Sequence, residues 1–497
     1  MERPDPPADR ILCSVRRPLL PWGCSARKRR RSSVAYAGGE SYSLGDIWLR
    51  IHSLMPMRDA ARSACTSQAF LRSWRCHPNL TLNRNTLSLN PFKERKGDFV
   101  CKIDSVLRNH SSIGLKILHL DLHDDPGTFV YVDSWLQVAV TPGIEELMLM
   151  LYEKYNLPCS LLSDGVRNSI RYLRLQNCAF HPTVELGPLR SLTSLRLQSV
   201  NITGDELECL ISNTLALEQL QLSSCENIIF LKIPCVLQQL KSLSVKACQK
   251  RIEIEIEAPN LYCIYFYRVK IKFLPRGALL MKDFTLHCRN SFYYARAKLL
   301  SVMPNLETLL LLSFAEVVNT PMLPTKLFYL KHLTIQIITG GAFSPSYDYF
   351  SLVSFLDASP SLETLILDVS QGRMEHESVF GGSSHLRQLP ELRLDCLKRV
   401  KILGFCSAKG LVELTCCILK NAVSLEHIVL NTLCEGGCCS ELDNGPSLPI
   451  GRLLEEAFRA VSAIRLYIEN EVPPSVKLTV VEPCARCHSS MVVPDAS

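Results

Sequence analysis

The sequence predicts an α/β fold: a solenoid of stacked strand–helix units behind a small helical module and a disordered tail. Three observations carry this reading. The pattern Leu-x-x-Leu-x-Leu recurs thirteen times between Leu115 and Leu425, at intervals averaging about 26 residues. Stretches between recurrences show helical spacing, as in Leu352, Val353, Phe355 and Leu356 ahead of Pro360-Ser361-Leu362. Residues 44–75 hold apolar positions at helical intervals, interrupted by Pro56.

Residues 1–40 come first and read as a disordered basic tail. They hold Pro4, Pro6, Pro7, Pro18 and Pro21 and show no helical or alternating period. Nine of the chain's Lys/Arg lie there against four acids, so of the net charge of +7 only +2 falls on the rest. A nucleic-acid binder needs its basic stripe on the folded surface, and a near-neutral body does not supply one. The cluster Arg27-Lys28-Arg29-Arg30-Arg31 fits a nuclear import signal and a solvated basic tail alike. The short apolar stretch Leu19-Leu20-Pro21-Trp22 is no secretory signal, and three acids within the first nine residues disfavour a transit peptide.

Residues 41–82 follow as a helical module. Asp46 charges or caps a helix start, and Ile47, Ile51 and Leu54 fall on one face at i, i+4 and i+7. Pro56 ends that helix. Arg58-Asp59 opens a second, running through Ala60, Ala61, Ala64 and Cys65, and Phe70, Leu71 and Trp74 give bulk to a third. On this pattern alone the module equally fits a helical cap on a solenoid. Its core is too small for much independent stability, so a permanent partner is expected. Residues 83–112 read as linker and N-terminal cap.

Residues 113–482 are expected to form a leucine-rich-repeat solenoid, a horseshoe. The repeats begin at Leu115, Ile144, Ile170, Leu192, Leu217, Leu240, Leu261, Met281, Leu306, Leu330, Leu362, Leu397 and Leu425. In Leu-x-Leu the leucines share one face of a short strand. One strand and one helix cannot bury their apolar faces alone, so successive units must stack. Pro304 and Pro360 stop a helix two residues before a strand leucine. Cys178, Cys225 and Cys248 each stand eight residues after a starting leucine, where such repeats place Asn or Cys. Uneven spacing between Leu330, Leu362 and Leu397 leaves room for inserts around Gly340-Gly341-Ala342-Phe343-Ser344-Pro345 and Gly381-Gly382-Ser383-Ser384. A strand-like segment, residues 476–480, closes the array, and residues 483–497 read as a flexible tail.

Two blocks of the module, Ile51-His52-Ser53-Leu54-Met55-Pro56-Met57-Arg58-Asp59-Ala60-Ala61-Arg62 and Phe70-Leu71-Arg72-Ser73-Trp74-Arg75-Cys76-His77-Pro78-Asn79-Leu80, resemble the F-box of the large plant F-box/leucine-rich-repeat family. The phrases Asn305-Leu306-Glu307-Thr308-Leu309, Ser361-Leu362-Glu363-Thr364-Leu365 and Ser424-Leu425-Glu426-His427-Ile428 resemble its repeats. The resemblance implies a receptor that docks on the Skp-type adaptor of a cullin ubiquitin ligase and selects a protein target. It implies that Leu44, Asp46, Ile47, Ile51, Leu54 and Pro56 face the adaptor, with Cys65 and Phe70 completing the packing. The family's usual Leu-Pro-x-Asp start is absent: Leu44-Gly45-Asp46 lacks the proline and one residue. That departure keeps a second reading open, a leucine-rich-repeat binding scaffold whose F-box has lost its role.

Within each Leu-x-Leu the intervening residues face the concave surface. In order they are Arg174 and Gln176, Arg196 and Gln198, Gln221 and Ser223, Ser244 and Lys246, then Tyr265 and Tyr267. The candidate target-binding residues are Arg174, Gln176, Arg196, Gln198, Lys246, Tyr265 and Tyr267. Arg and Tyr are enriched in interface hot spots, and the stripe suits an acidic or phosphorylated segment beside an apolar one.

No catalytic residues, metal ligands or cofactors are expected. Cys484-Ala485-Arg486-Cys487-His488 matches a haem-attachment pattern, but it lies in the last fourteen residues with no domain to enclose a haem. Cys434, Cys438 and Cys439 lack the paired spacing of a zinc site. No phosphate-cradling loop, His-Glu-x-x-His or nucleophile elbow is present. Twenty-two cysteines spread over a long chain read as reduced thiols, placing the protein in nucleus or cytoplasm. No run of about 18 apolar residues occurs, so no membrane span is expected. Hydrophobic residues at 47% and a mean hydropathy of +0.10 fit a globular body.

Overall fold

The computed structural model describes residues 44–87, 97–247, 251–268, 270–275, 280–314, 316, 325–337, 347–369, 376–381, 385–433 and 450–483. The basic cluster at 27–31, most of both inserts, Cys248, the cysteines at 434, 438 and 439, and the motif at 484–488 lie outside them, as do the side chains of Leu44 and Asp46.

The first compact unit takes in residues up to 220, with 225–227. It opens with helices α1 (Leu44–Leu54), α2 (Met57–Ser63) and α3 (Gln68–Arg75). Pro56 separates the first two, and its carbonyl accepts from the Asp59 and Ala60 amides, as expected of a proline that stops one helix and starts the next. Ser67 caps α3 by accepting from Phe70 N–H at 3.1 Å.

The unit continues as β1 (Asn79–Leu82), α4 (Asp98–Asn109), β2 (Ile117–Leu122), α5 (Phe129–Ala139), β3 (Glu146–Asn156), β4 (Tyr172–Ala179), β5 (Ser194–Gln198) and α6 (Gly204–Ser212). The five strands are parallel and lie in chain order. The sheet therefore begins at Asn79, inside the stretch that the sequence assigns to the helical module. α6 starts with a reciprocal capping box: Thr203 Oγ1 accepts from Glu206 N–H, and Glu206 Oε2 accepts from Thr203 N–H at 2.7 Å.

The division into units falls within β6 (Gln219–Ser223). The second unit contains β7 (Phe230–Ile233), β8 (Ser242–Lys246), β9 (Arg251–Ile256), β10 (Cys263–Tyr267), β11 (Lys270–Pro275), β12 (Asp283–Cys288), β13 (Thr308–Ser313), β14 (His332–Ile337), β15 (Thr364–Val369) and β16 (Arg399–Leu403). It ends with α7 (Lys409–Asn421), β17 (His427–Asn431), α8 (Ile450–Tyr467) and β18 (Lys477–Val481). Strands β8, β10 and β12 to β18 pair in parallel in that order. Strands β7, β9 and β11 form a separate parallel sheet with β9 in the middle.

All thirteen starting residues from Leu115 to Leu425 are buried, and each is followed two residues later by the first residue of a strand. In β5 Leu195 and Leu197 are buried while Arg196 and Gln198 are half-exposed, which is the period-2 alternation that the pattern demands. Strand exits share a backbone device. Ser224, Ala247 and Arg268 have φ of 52°, 51° and 52°. Their amides donate to carbonyls at the ends of the neighbouring strands: Lys246 O and Tyr267 O at the last residue, and His287 O one residue before it. A left-handed residue costs about 1–2 kcal/mol without glycine, and the bond to the next repeat offsets part of it.

Candidate binding surfaces

The three N-terminal helices build one candidate surface. Met57, Ala60 and Ala64 are buried, at the i, i+3, i+7 spacing of an inward face. Phe70 lies half-buried against Trp48, with ring centroids 4.7 Å apart edge to face, and 5.2 Å from His52. It thus holds α3 on α1 from within the module. His52 is itself buried, with Nε2 3.1 Å from Ser63 Oγ, and burial pushes its pKa down. The opposite side of α1 is apolar and uncovered: Ile47 is 45% exposed, Ile51 41% and Leu54 72%. Pro56 and Cys65 are also exposed. His77 ties the module to β1, with Nε2 3.2 Å from Met55 O and Nδ1 accepting from Asn79 N–H.

A second surface is the side of the first unit's sheet opposite the buried leucines. Register places Arg174 directly beside Arg196 and Gln176 beside Gln198. On the other flank of β4, Met148 pairs with Arg174 and Met150 with Gln176, and His119 pairs with Met148. All seven are half-exposed. The Arg196 guanidinium stacks 5.2 Å from the Tyr172 ring centroid, a cation–π contact that fixes its direction. Burial lowers the pKa of His119; Asp121 opposes the shift and Arg174 adds to it.

The aromatic part of the predicted stripe lies in the second unit. Tyr265 and Tyr267 stack with centroids 6.4 Å apart. Lys246 Nζ sits 4.8 Å over Tyr265. Three residues that sequence reasoning missed join them: His287, Phe314 and Arg268. His287 packs 3.9 Å from Tyr267 and 4.7 Å from Phe314, and the Arg268 guanidinium lies over both Tyr267 and Phe314 at about the same distance, 5.5 and 5.4 Å. His287 stands in register with Tyr267, so extending the strand reading to the repeat at Met281 would have found it. Burial, reinforced by Arg268, pushes its pKa down to about 4.

One cluster offers metal-ligand chemistry among the described residues: atoms of His376, Cys406 and Glu456 lie within 4.8 Å of one another. Glu456 Oε1 accepts from Ser407 N–H at 2.8 Å and lies 3.3 Å from His376 Nε2. That carboxylate joins the segments of His376 and Ser407 to α8, while His376 Nδ1 is buried without a hydrogen-bond partner. Every cysteine described is a free thiol. Cys178, at the repeat's Asn/Cys position, is pushed up to about 12 by burial, as befits a core residue and not a nucleophile. No helix among the described residues is long and apolar enough to cross a membrane.

The family model described as the At1g61320/AtMIF1 LRR domain matches residues 106–485. The chain is similar to the putative FBD-associated F-box protein At1g61330 of Arabidopsis thaliana, at 22% identity over 409 residues, 76% of this chain and 88% of that protein. It is also similar to the FBD-associated F-box protein At1g61320 of Arabidopsis thaliana, at 22% over 365 residues, 68% and 77% of the two.

Proposed function

Because the chain belongs to the At1g61320/AtMIF1 leucine-rich-repeat family, and two similar proteins are named F-box proteins, we propose that it is the substrate-recognition subunit of a cullin-type ubiquitin ligase. The observation that carries the reading is the uncovered apolar side of α1. Ile47, Ile51 and Leu54 stand on it in a row that ends at exposed Pro56. Covering a large apolar side chain contributes about 1.5–3 kcal/mol, so a partner helix laid along this row gains enough for a stable dock. The partner is a Skp-type adaptor, which in turn binds the cullin. The resemblance adds Leu44, Asp46 and Cys65 to the adaptor contact, and Phe70, packed on Trp48 and His52, braces α1.

The repeats hold the target. The receptor then acts by proximity, raising the concentration of a target lysine near the charged ubiquitin carrier, while transfer chemistry belongs to other subunits. It works in nucleus or cytoplasm, where its thiols stay reduced. The missing proline of Leu44-Gly45-Asp46 favours one rival, a binding scaffold without ligase role. Expression of the full chain in plant cells and affinity capture separates the two. Recovery of endogenous adaptor and cullin together supports the receptor; recovery of neither from wild-type chain sinks it and leaves the scaffold.

A further inference from the structure

We propose that Arg174 and Arg196 form a seat for a phosphorylated side chain, flanked by Met148 and Met150 as an apolar shelf, on the open face of the first unit's sheet. This deepens the receptor reading by naming the chemistry of the target segment.

Arg174 and Arg196 stand at directly paired positions on adjacent parallel strands, whose backbones run about 4.8 Å apart. Like charges placed side by side destabilise a sheet. Among the described residues no carboxylate pairs with either arginine. The surroundings are also incompletely satisfied: Arg196 Nε, Ser194 Oγ and His119 Nε2 are buried without a hydrogen-bond partner. Unpaired buried polar atoms cost free energy and call for an explanation, such as an anion that completes the site. Arg196 is pre-oriented by its stack on Tyr172, which reduces the ordering cost of binding.

The donor count selects phosphate over carboxylate. Each guanidinium offers five N–H donors in a planar fork. A carboxylate satisfies one fork with its two oxygens. A phosphate monoester has three free oxygens and carries a charge of about −1.5 to −2 at neutral pH, matching two cations. Gln176 and Gln198, paired in the next position along the strands, add amide donors and acceptors for peptide backbone. Met148 and Met150 are half-exposed one strand away, adaptable surfaces for apolar residues beside the phosphate. The flanking Glu146 and Asp121, each in register with its neighbours on the same sheet, disfavour a polyanion such as RNA running across it.

The test uses the full chain, immobilised, with matched peptide pools of random flanks bearing phosphoserine, phosphotyrosine, glutamate or the unmodified residue. A phosphorylated pool should be retained at least about tenfold over its unmodified twin, the factor expected from loss of one charge-assisted pair. Arg174→Ala/Arg196→Ala should abolish that preference at unchanged melting temperature. Arg174→Gln/Arg196→Gln, which keeps side-chain bulk, should do the same. Retention of glutamate or unmodified pools equal to the phosphorylated ones overturns the proposal. So does undiminished phosphopeptide retention by both double variants, or single-stranded RNA displacing the peptides. Adaptor capture on the same beads separates the two readings. Adaptor bound without phosphopeptide preference defeats only the phosphate seat, and the reverse result defeats only the ligase role.

Discussion

At the scale of single residues, histidines kept neutral by burial give the fold an acid sensitivity. His287 is only 6% exposed, wedged between Tyr267 and Phe314, and its pKa is pushed down to about 4. The unfolded chain binds that proton near pH 6.5, so the contribution is complete above 6.5 and is lost as the pH falls from there toward 4. His52, His110 and His119 are shifted in the same direction, chiefly by burial. The melting temperature should therefore drop between pH 7 and pH 5. His287→Phe, which keeps a ring between its two aromatic neighbours and removes the titrating group, should drop less. An identical decline in both proteins would show that His287 is not a source of the sensitivity. The same residue escapes sequence reading because the outward-facing stripe is followed only as far as Tyr267, one repeat short of the matching position after Met281 and Phe284.

At the scale of elements, the repeat pattern is readable because burial enforces it. Leu195 is fully buried in β5, and Leu195→Ala should cost about 2–5 kcal/mol by denaturant unfolding, as for other buried leucines. Gln198→Ala on the same strand faces outward and should stay within about 0.5 kcal/mol of wild type. Thr203→Ala removes one half of the capping box of α6, and should cost about 0.5–2 kcal/mol. Comparable losses at Leu195 and Gln198 would mean that the inward and outward faces are misassigned. This contrast also explains what the sequence left dark. Leucines at two-residue spacing announce a strand, and every starting position from Leu115 to Leu425 leads into one. The second sheet does not come from that motif. Arg251-Ile-Glu-Ile-Glu-Ile alternates strictly enough to signal β9, but it falls between repeats, where helices are expected. β1 was masked by its position directly behind α3, and α8 lies past the last strong repeat, although Leu454, Ala457, Val461 and Ile464 carry a helical period. The candidate binding surfaces were legible as strand positions and helix faces. Their supporting contacts, Tyr172 under Arg196 or Phe70 on Trp48, depend on side-chain directions that spacing does not specify.

At the scale of the whole molecule, the proposed function rests on two separate surfaces: an apolar helix face for the adaptor and an open sheet face for the target. The two tasks sit on different elements, so one can be removed without the other. Ile51 is central in the exposed row of α1, between Ile47 and Leu54. A charge there must be desolvated when the adaptor covers it, at a cost of several kcal/mol, or a loss of more than about a hundredfold in affinity. The folded repeats should not notice it. The deciding measurement is isothermal titration of purified Skp-type adaptor into the full chain and into Ile51→Arg, with thermal unfolding of both recorded alongside. The account predicts a tight one-to-one complex with the wild type, none detectable with Ile51→Arg, and matching melting temperatures. Equal affinity for the two proteins, or no binding by the wild type, would contradict it.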